Sequence, residues 1–216
     1  MPKRLFIKDG GLTSSIPTPT GYTVIGADGG TPKKQIISTI SDLGGFTHYI
    51  GEYFEGGVIF SLWKENGIEK GLIVDTVNVS TGTSWSNVTG SASSANSSWD
   101  GLSNSNAIIS QSGHVTSAAK LCLDSTNGGY TDWYLPAIDE LHLMRINRFY
   151  INQTLNNIVG STPLPRGDES NYYLWSSTEF SGQPTFAWYV DSFDGDTYDL
   201  SKSQTFKTVV RAVRRF

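Results

Sequence analysis

Two apolar runs stand out along this chain: "GGVIFSLW" (56–63) and "GLIVDTV" (71–77). They predict adjacent strands, because "KENGIEK" between them contains an Asn-Gly turn signal. Helical material comes next, over residues 105–125 and strongest at their end. In "VTSAAKLCLDS" (115–125), Val115, Ala118, Ala119, Leu121 and Cys122 fall on one face. "AIDELHLMRINRFY" (137–150) predicts a second helix, and "NQTLNNIVG" (152–160) a short third. The remainder returns to strand-like runs: "YYLWSSTE", "TFAWYVDSF", "TYDLSK" and "FKTVVRAVRRF". Asp194-Gly195 is a hairpin turn between the second and third of these. Two strands, two main helices and then a mostly antiparallel sheet define an α+β domain over residues 46–216.

Two stretches depart from these rhythms. Residues 1–45 hold two short β-type runs, "RLFIKDGG" and "GYTVIGADGG", each closed by an Asp-Gly pair. They are joined by the extended connector "LTSSIPTPT" and followed by "TPKKQIISTISDLGG". That is too little for an independent core, and it reads as an attachment or oligomerisation segment. The second is the Ser/Asn-rich stretch from Asn78 to Ser105. A polar loop that long in a compact domain is functional or wrapped on the surface. Trp85 and Trp99 within it predict that it docks.

At the head of the second predicted helix, Asp139 and Glu140 precede His142 and could be taken for an acid/base cluster. Pro136 suits the first turn of a helix, and carboxylates there complement the helix dipole. Ile138, Leu141 and Met144 recur at three-residue spacing and face the core, leaving His142 at the rim. The acidic pair is therefore expected to be structural.

Composition narrows the chemistry. The 216 residues carry a net charge of −4, which favours no nucleic-acid partner. The basic run Arg211, Arg214 and Arg215 alternates with valine and alanine, as in a terminal strand. One cysteine, Cys122, excludes an intramolecular disulfide and a cysteine metal cage; on an apolar helix face it reads as a small buried hydrophobe. The start lacks an apolar run of signal-peptide length, and no stretch approaches the roughly 18 apolar residues of a membrane span. Cytoplasmic synthesis without membrane insertion follows as the expectation. In "DSFDGDTYD", Asp191, Asp194, Asp196 and Asp199 lack EF-hand spacing, and strand alternation would divide their side chains between faces. A solvated acidic tip is expected there, with no metal and no cofactor. His48, His114 and His142 are far apart, and no nucleophile elbow or phosphate loop occurs. An enzyme is not expected.

The ordered set "GGYTDWYLPAIDEL", "YLWSSTE", "FAWYV" and "VVRAVR" resembles the C-terminal domain family of the bacterial collagen-like Lcl adhesin. With "GGVIFSLW…GLIV" and "AAKLCLD", the resemblance covers about residues 56–214. It implies a C-type-lectin-like fold and a role in adhesion. Many relatives carry Ser or Thr where this chain has Ala137, so half of a capping box is gone and the helix start should be weaker by ~1 kcal/mol. Residues 1–45 are similar in style to N-terminal segments of phage and prophage tail proteins.

Trp133, Trp175 and Trp188 fall in the shared motifs and are expected in or near the core. The other aromatics of the last third lie among Asn, Ser, Asp and Gly, the composition of adaptable binding surfaces. The candidate ligand-binding residues are Tyr172, Phe180, Tyr189, Asp191, Phe193, Asp194, Asp196 and Tyr198. Rings would stack on a ligand face while carboxylates accept hydrogen bonds. The resemblance implies a receptor-binding protein of a phage, prophage or gut-bacterial surface structure, acting on a virion or extracellular surface. Its partner would be a host cell-surface protein or glycan, and homo-oligomers, trimers included, would add avidity. Some relatives of this fold are diversified near the C-terminus by retroelements, and residues 171–199 have the composition that such diversification favours. The competing reading is a structural assembly subunit whose aromatics are buried between copies.

Overall fold

A computed structural model describes residues 6–7, 22–26, 33–37, 45–92, 94–165 and 172–216. They fall in two compact units, Met1–His48 with Glu65–Glu69, and Tyr49–Lys64 with Lys70–Phe216. In the first, β1 (Phe6–Ile7), β2 (Tyr22–Gly26) and β3 (Lys33–Ile37) form an antiparallel sheet in that order. The two predicted Asp-Gly turns at 9–10 and 28–29 lie outside the described residues.

The apolar runs that open the sequence become β5 (Gly57–Glu65) and β6 (Ile68–Asp75). Asn66 and Gly67, with φ of 51° and 80°, close the hairpin, as the turn signal requires. The runs are continuous because both faces are buried. Val58, Phe60, Leu72 and Val74 enter one apolar cluster, and Ile59 and Ile73 enter the other. With β4 (Tyr53–Phe54) and β12 (Val213–Arg215) they make a four-stranded sheet ordered β12-β6-β5-β4.

The second sheet is ordered β10-β9-β8-β11-β7, from β7 (Ser80–Thr81), β8 (Tyr173–Glu179), β9 (Phe186–Asp191), β10 (Thr197–Ser201) and β11 (Thr208–Val210). Its β11–β8 pair is parallel and the others are antiparallel. The expected single terminal strand is thus two strands on different sheets. Arg211 and Ala212 carry the chain across, and Arg211 is buried, bonding the carbonyls of Asp75 and Thr162. Arg214 grips Asp132 with two bonds, at 2.7 and 3.0 Å, and also pairs with Glu55.

Among the described residues four α-helices replace the two main ones and the short third expected: α1 (Gly101–Ile109), α2 (Ala118–Leu123), α3 (Ile138–Ile146) and α4 (Arg148–Leu155). Helix α1 starts inside the predicted loop, capped by the Asp100 carboxylate on the Ser103 N–H. Val115 precedes the α2 cap Ser117 and is exposed, so it does not share the buried face of Ala118, Ala119 and Cys122. The long second helix is broken at Asn147, whose side chain instead donates to the Phe60 carbonyl at 2.9 Å. Trp85 docks fully buried, its ring N–H on the Ser176 carbonyl at 2.7 Å, while Trp99 stays exposed.

Glu140 is structural, through more than the helix dipole. Its buried carboxylate accepts from the Ala137 N–H, the Tyr134 hydroxyl and Arg215, each at 2.9 Å. The first of these is the surviving half of the capping box. Burial pushes the carboxyl above its usual range, against the pull of these donors. Burial also works against the Arg215 charge, but its bonds to Glu140 and Tyr134 outweigh it and hold the guanidinium protonated. The two shifts differ in origin because the Arg215 side chain is 36% exposed and that of Glu140 only 3%, so the acid bears most of the desolvation. Gly101 packs so closely that a Cβ there would stand 2.5 Å from Glu140 Oε2 and 2.6 Å from the Ala137 nitrogen. Replacing Glu140 by Ala should cost about 2–4 kcal/mol, since it leaves three donors unpaired around a partly buried cation. Denaturant unfolding of the full chain measures this; stability unchanged in Glu140→Ala would show that the knot is dispensable.

Candidate functional site

The β9–β10 connection gathers half of the sequence-predicted site into one place. Asp191 ends β9, Thr197 opens β10, and Gly195 turns the chain with φ of 79°. Aspartates there cap their own turn, as short carboxylates do by bonding the backbone two residues on. Asp191 Oδ1 accepts from the Phe193 N–H and Asp194 Oδ1 from the Asp196 N–H, both at 2.8 Å. The Tyr198 hydroxyl donates to Asp194 Oδ2 at 3.0 Å, and Arg145 of α3 donates to the Asp194 carbonyl at 2.6 Å. A Cβ on Gly195 would run into the Arg145 guanidinium, so glycine there serves packing as well as the turn. The result is a fixed tip on which Phe193 is 60% and Tyr198 43% exposed, beside the exposed Asp194 and Asp196.

The other four candidates are not displayed on the tip. Tyr189 and Asp191 are buried, at 8% and 7% exposure. Tyr189 stands in an aromatic row across three strands, its ring 4.8 Å from Tyr173 and 6.0 Å from Tyr198. Burial, with the Asp191 charge adding to it, pushes the Tyr189 phenol up to about 12. These two residues support the tip from below and do not offer a ligand face. Phe180 lies on the opposite face of the sheet, packed edge-on against half-buried Trp188 at 4.7 Å. Trp133 and Trp175 are buried, in keeping with the expected core.

Tyr172 lines a cavity of about 750 Å³ together with Asn78, Asn156, Thr205, Phe206 and Lys207. Sequence reasoning did not bring these residues together. They come from four separate segments, and the one local oddity, Lys207 at φ of 61°, is invisible in the sequence. Arg145, which clamps the tip, was equally hidden because its partner lies 49 residues away. The Asp-x-x-Asp-Gly-Asp spacing was a usable signal, since each aspartate that caps the turn bonds two residues ahead.

The chain belongs to the Lcl C-terminal domain family, whose model matches residues 73–214. The match starts within β6, so β5 lies outside it, and the tip and the cavity fall inside. Membership is consistent with a ligand-binding or adhesion-type domain. None of the curated proteins compared with the chain matches it. Among the described residues, no helix is long and apolar enough to cross a membrane.

The tip has a pH signature. The Asp196 N–H, the Tyr198 hydroxyl and the Arg145 charge hold the Asp194 carboxyl below its ordinary value of 3.8. A depressed carboxyl contributes structure that is present above its free value and lost as pH falls through its folded value. The tip should therefore hold its form through mild acid and loosen only below 3.8. Carboxyl-carbon NMR of the full chain should find Asp194 titrating below that value and moving back toward it in Tyr198→Phe. A midpoint at or above 3.8 in the unaltered protein would contradict the geometry.

Proposed function

We propose that this protein is a receptor-binding protein of a phage, prophage or bacterial surface structure, with a C-type-lectin-like scaffold displaying its ligand surface. Family membership supports the adhesive role, and the interleaved helices and curled sheets of an α+β domain suit the scaffold. The observation that carries the reading is the β9–β10 tip: two exposed rings and two exposed carboxylates on a turn already fixed by its own hydrogen bonds. Exposed aromatics held in one geometry lose little entropy on binding, which is how a small surface reaches useful affinity. Phe193 and Tyr198 would stack on the partner, a host surface protein or glycan, and Asp194 and Asp196 would accept its hydrogen bonds. The proposal includes no catalytic role and no cofactor. Residues 1–45 would attach the domain to its carrier or to further copies, giving avidity to weak single contacts.

A second reading has an observation of its own. Ile146, Phe149 and Tyr150 on α3 and α4 are 71%, 67% and 53% exposed, which is what an assembly subunit would cover. Binding of the full-length protein to intact candidate host bacteria separates the two. Phe193→Ala with Tyr198→Ala should weaken binding at least about tenfold, the scale of losing aromatic anchors, while the thermal melt stays intact. Unchanged cell binding by the folded double variant would remove the tip from the site. No binding by either protein, with ordered self-assembly, would leave the structural reading standing.

A further inference from the structure

The second unit guards most of its sheet edges. Strand β12 is closed by the Tyr134 backbone, which exchanges two bonds with Val213 at 2.8 and 3.0 Å, and β4 and β7 are two residues long. Strand β10 differs: it is five residues long and, among the described residues, pairs on one side alone, with β9. Asp191 N–H bonds the Asp196 carbonyl and Lys202 N–H the Thr185 carbonyl, so even-numbered residues of β10 are the ones bonded to β9. Thr197, Asp199 and Ser201 therefore turn their N–H groups outward, and none of these three donors has a partner among the described residues. An edge of this length carrying no proline and no lysine is a template for another strand.

Charge says which strand. Asp194, Asp196 and Asp199 are exposed along this edge, and the Asp199 carboxylate has no bonding partner among the described residues. Of the cations on adjoining segments, Lys202 is buried against Glu179 at 2.7 Å and Arg145 is spent on the Asp194 carbonyl. A second copy added antiparallel about Asp199 would set two unpaired carboxylates side by side, which is unfavourable. The faces differ as well. Asp199 lies across from Trp188 on one face, whereas exposed Tyr198 and the open side of Leu200, which otherwise packs on the core, offer an apolar shelf on the other.

We infer that the β10 edge takes up an extended peptide segment of a partner protein, one that alternates basic with apolar residues, by strand addition. The segment exchanges main-chain hydrogen bonds with Thr197, Asp199 and Ser201. Its basic side chains meet Asp199, and its apolar ones extend the shelf of Tyr198 and Leu200. This rests on the reading of the β9–β10 region as a binding surface and specifies how a protein partner is held there.

The test is amide hydrogen exchange, read residue by residue on the full chain, with a capped seven-residue peptide of alternating lysine and valine. Protection should appear at Thr197, Asp199 and Ser201, while Tyr198 and Leu200, already bonded to β9, change little. A peptide with N-methyl groups on the residues that face β10 should not bind. Asp199→Asn should weaken binding roughly two- to fivefold and reduce its salt dependence, the scale of an exposed ion pair. Equal binding by the N-methylated peptide, or by a glutamate–valine peptide, would overturn strand addition by a basic segment. So would protection of those amides by self-association without peptide, which would assign the edge to a second copy. Phe193→Ala removes a tip ring that the strand contact does not use and leaves both the open backbone and the Tyr198 shelf in place, so the two ideas fail separately. Cell binding without amide protection sinks the edge alone, and amide protection without cell binding sinks the receptor role alone.

Discussion

The Glu140 carboxylate is the point on which the larger unit turns. It is bonded from three directions in a site with almost no water contact, by the start of α3, by the Tyr134 hydroxyl and by Arg215 near the chain terminus. Breaking a pair of this kind leaves charge without compensation, so the elements it joins hold their relation over a narrow range of geometry. Arg215 extends the knot by donating to the Trp99 carbonyl, and Gly101 closes over it, tying in the start of α1. A second buried pair does the same at the far end of the polar loop. Lys202 binds Glu179 and the Gly90 carbonyl and lies 4.5 Å over the Trp85 ring, while Glu179 also takes the Ser91 hydroxyl. A serine- and asparagine-rich stretch with little apolar content of its own is thus held by charge and by the burial of one ring, Trp85, while Trp99 stays exposed.

These anchors explain why exposed rings and carboxylates gather at the β9–β10 tip. Strands β5, β6, β8 and β9 each send side chains into both apolar clusters, so they have no free face to offer. Strand β10 is the outermost of its sheet, with Leu200 packing inward and Tyr198 and Asp199 in solvent. The tip before it needs no ligand to be ordered, because its aspartates and Arg145 already satisfy the turn. Rigid core strands carrying a pre-shaped exposed turn is the arrangement by which loops acquire function without costing the fold its stability.

What the sequence revealed follows a physical line. Apolar rhythm identified β5, β6, β8, β9 and β10 and most of α2 and α3, since burial is written locally in residue type. Turn chemistry identified Asn66-Gly67 and Asp194-Gly195 for the same reason. What stayed hidden depended on partners distant in sequence. The carbonyl of Phe60 that draws Asn147 out of the helix is 87 residues away, and the Arg215 that makes Glu140 a keystone is 75 away. Only the end of helix α1 was legible, inside the helical material over residues 105–125, because Ser and Asn dominate its start and two of its buried residues, Asn104 and Ser105, are polar. Asn104 bonds Ser97 and Ser105 bonds Leu135, satisfactions that no periodicity of apolar residues reports.

The candidate site was legible in the same proportion. Phe193, Asp194, Asp196 and Tyr198 are close in sequence and end close in space, because a hairpin turns sequence neighbours into surface neighbours. Tyr189 and Asp191 have the same residue types and neighbourhood, yet strand pairing buries them. Composition sees a patch, whereas alternation and register decide which half of it faces water. That distinction also separates the proposed side-chain contact from the proposed backbone contact at one location. The tip offers rings and carboxylates, and the edge beside it offers unpaired amides whose spacing is set by β9. Side chains at the tip can change with little effect on the ladder, because the bonds that fix β10 run through its even-numbered main chain. Under the proposed reading, the side chains of such a surface are free to vary while its main-chain contact stays constant.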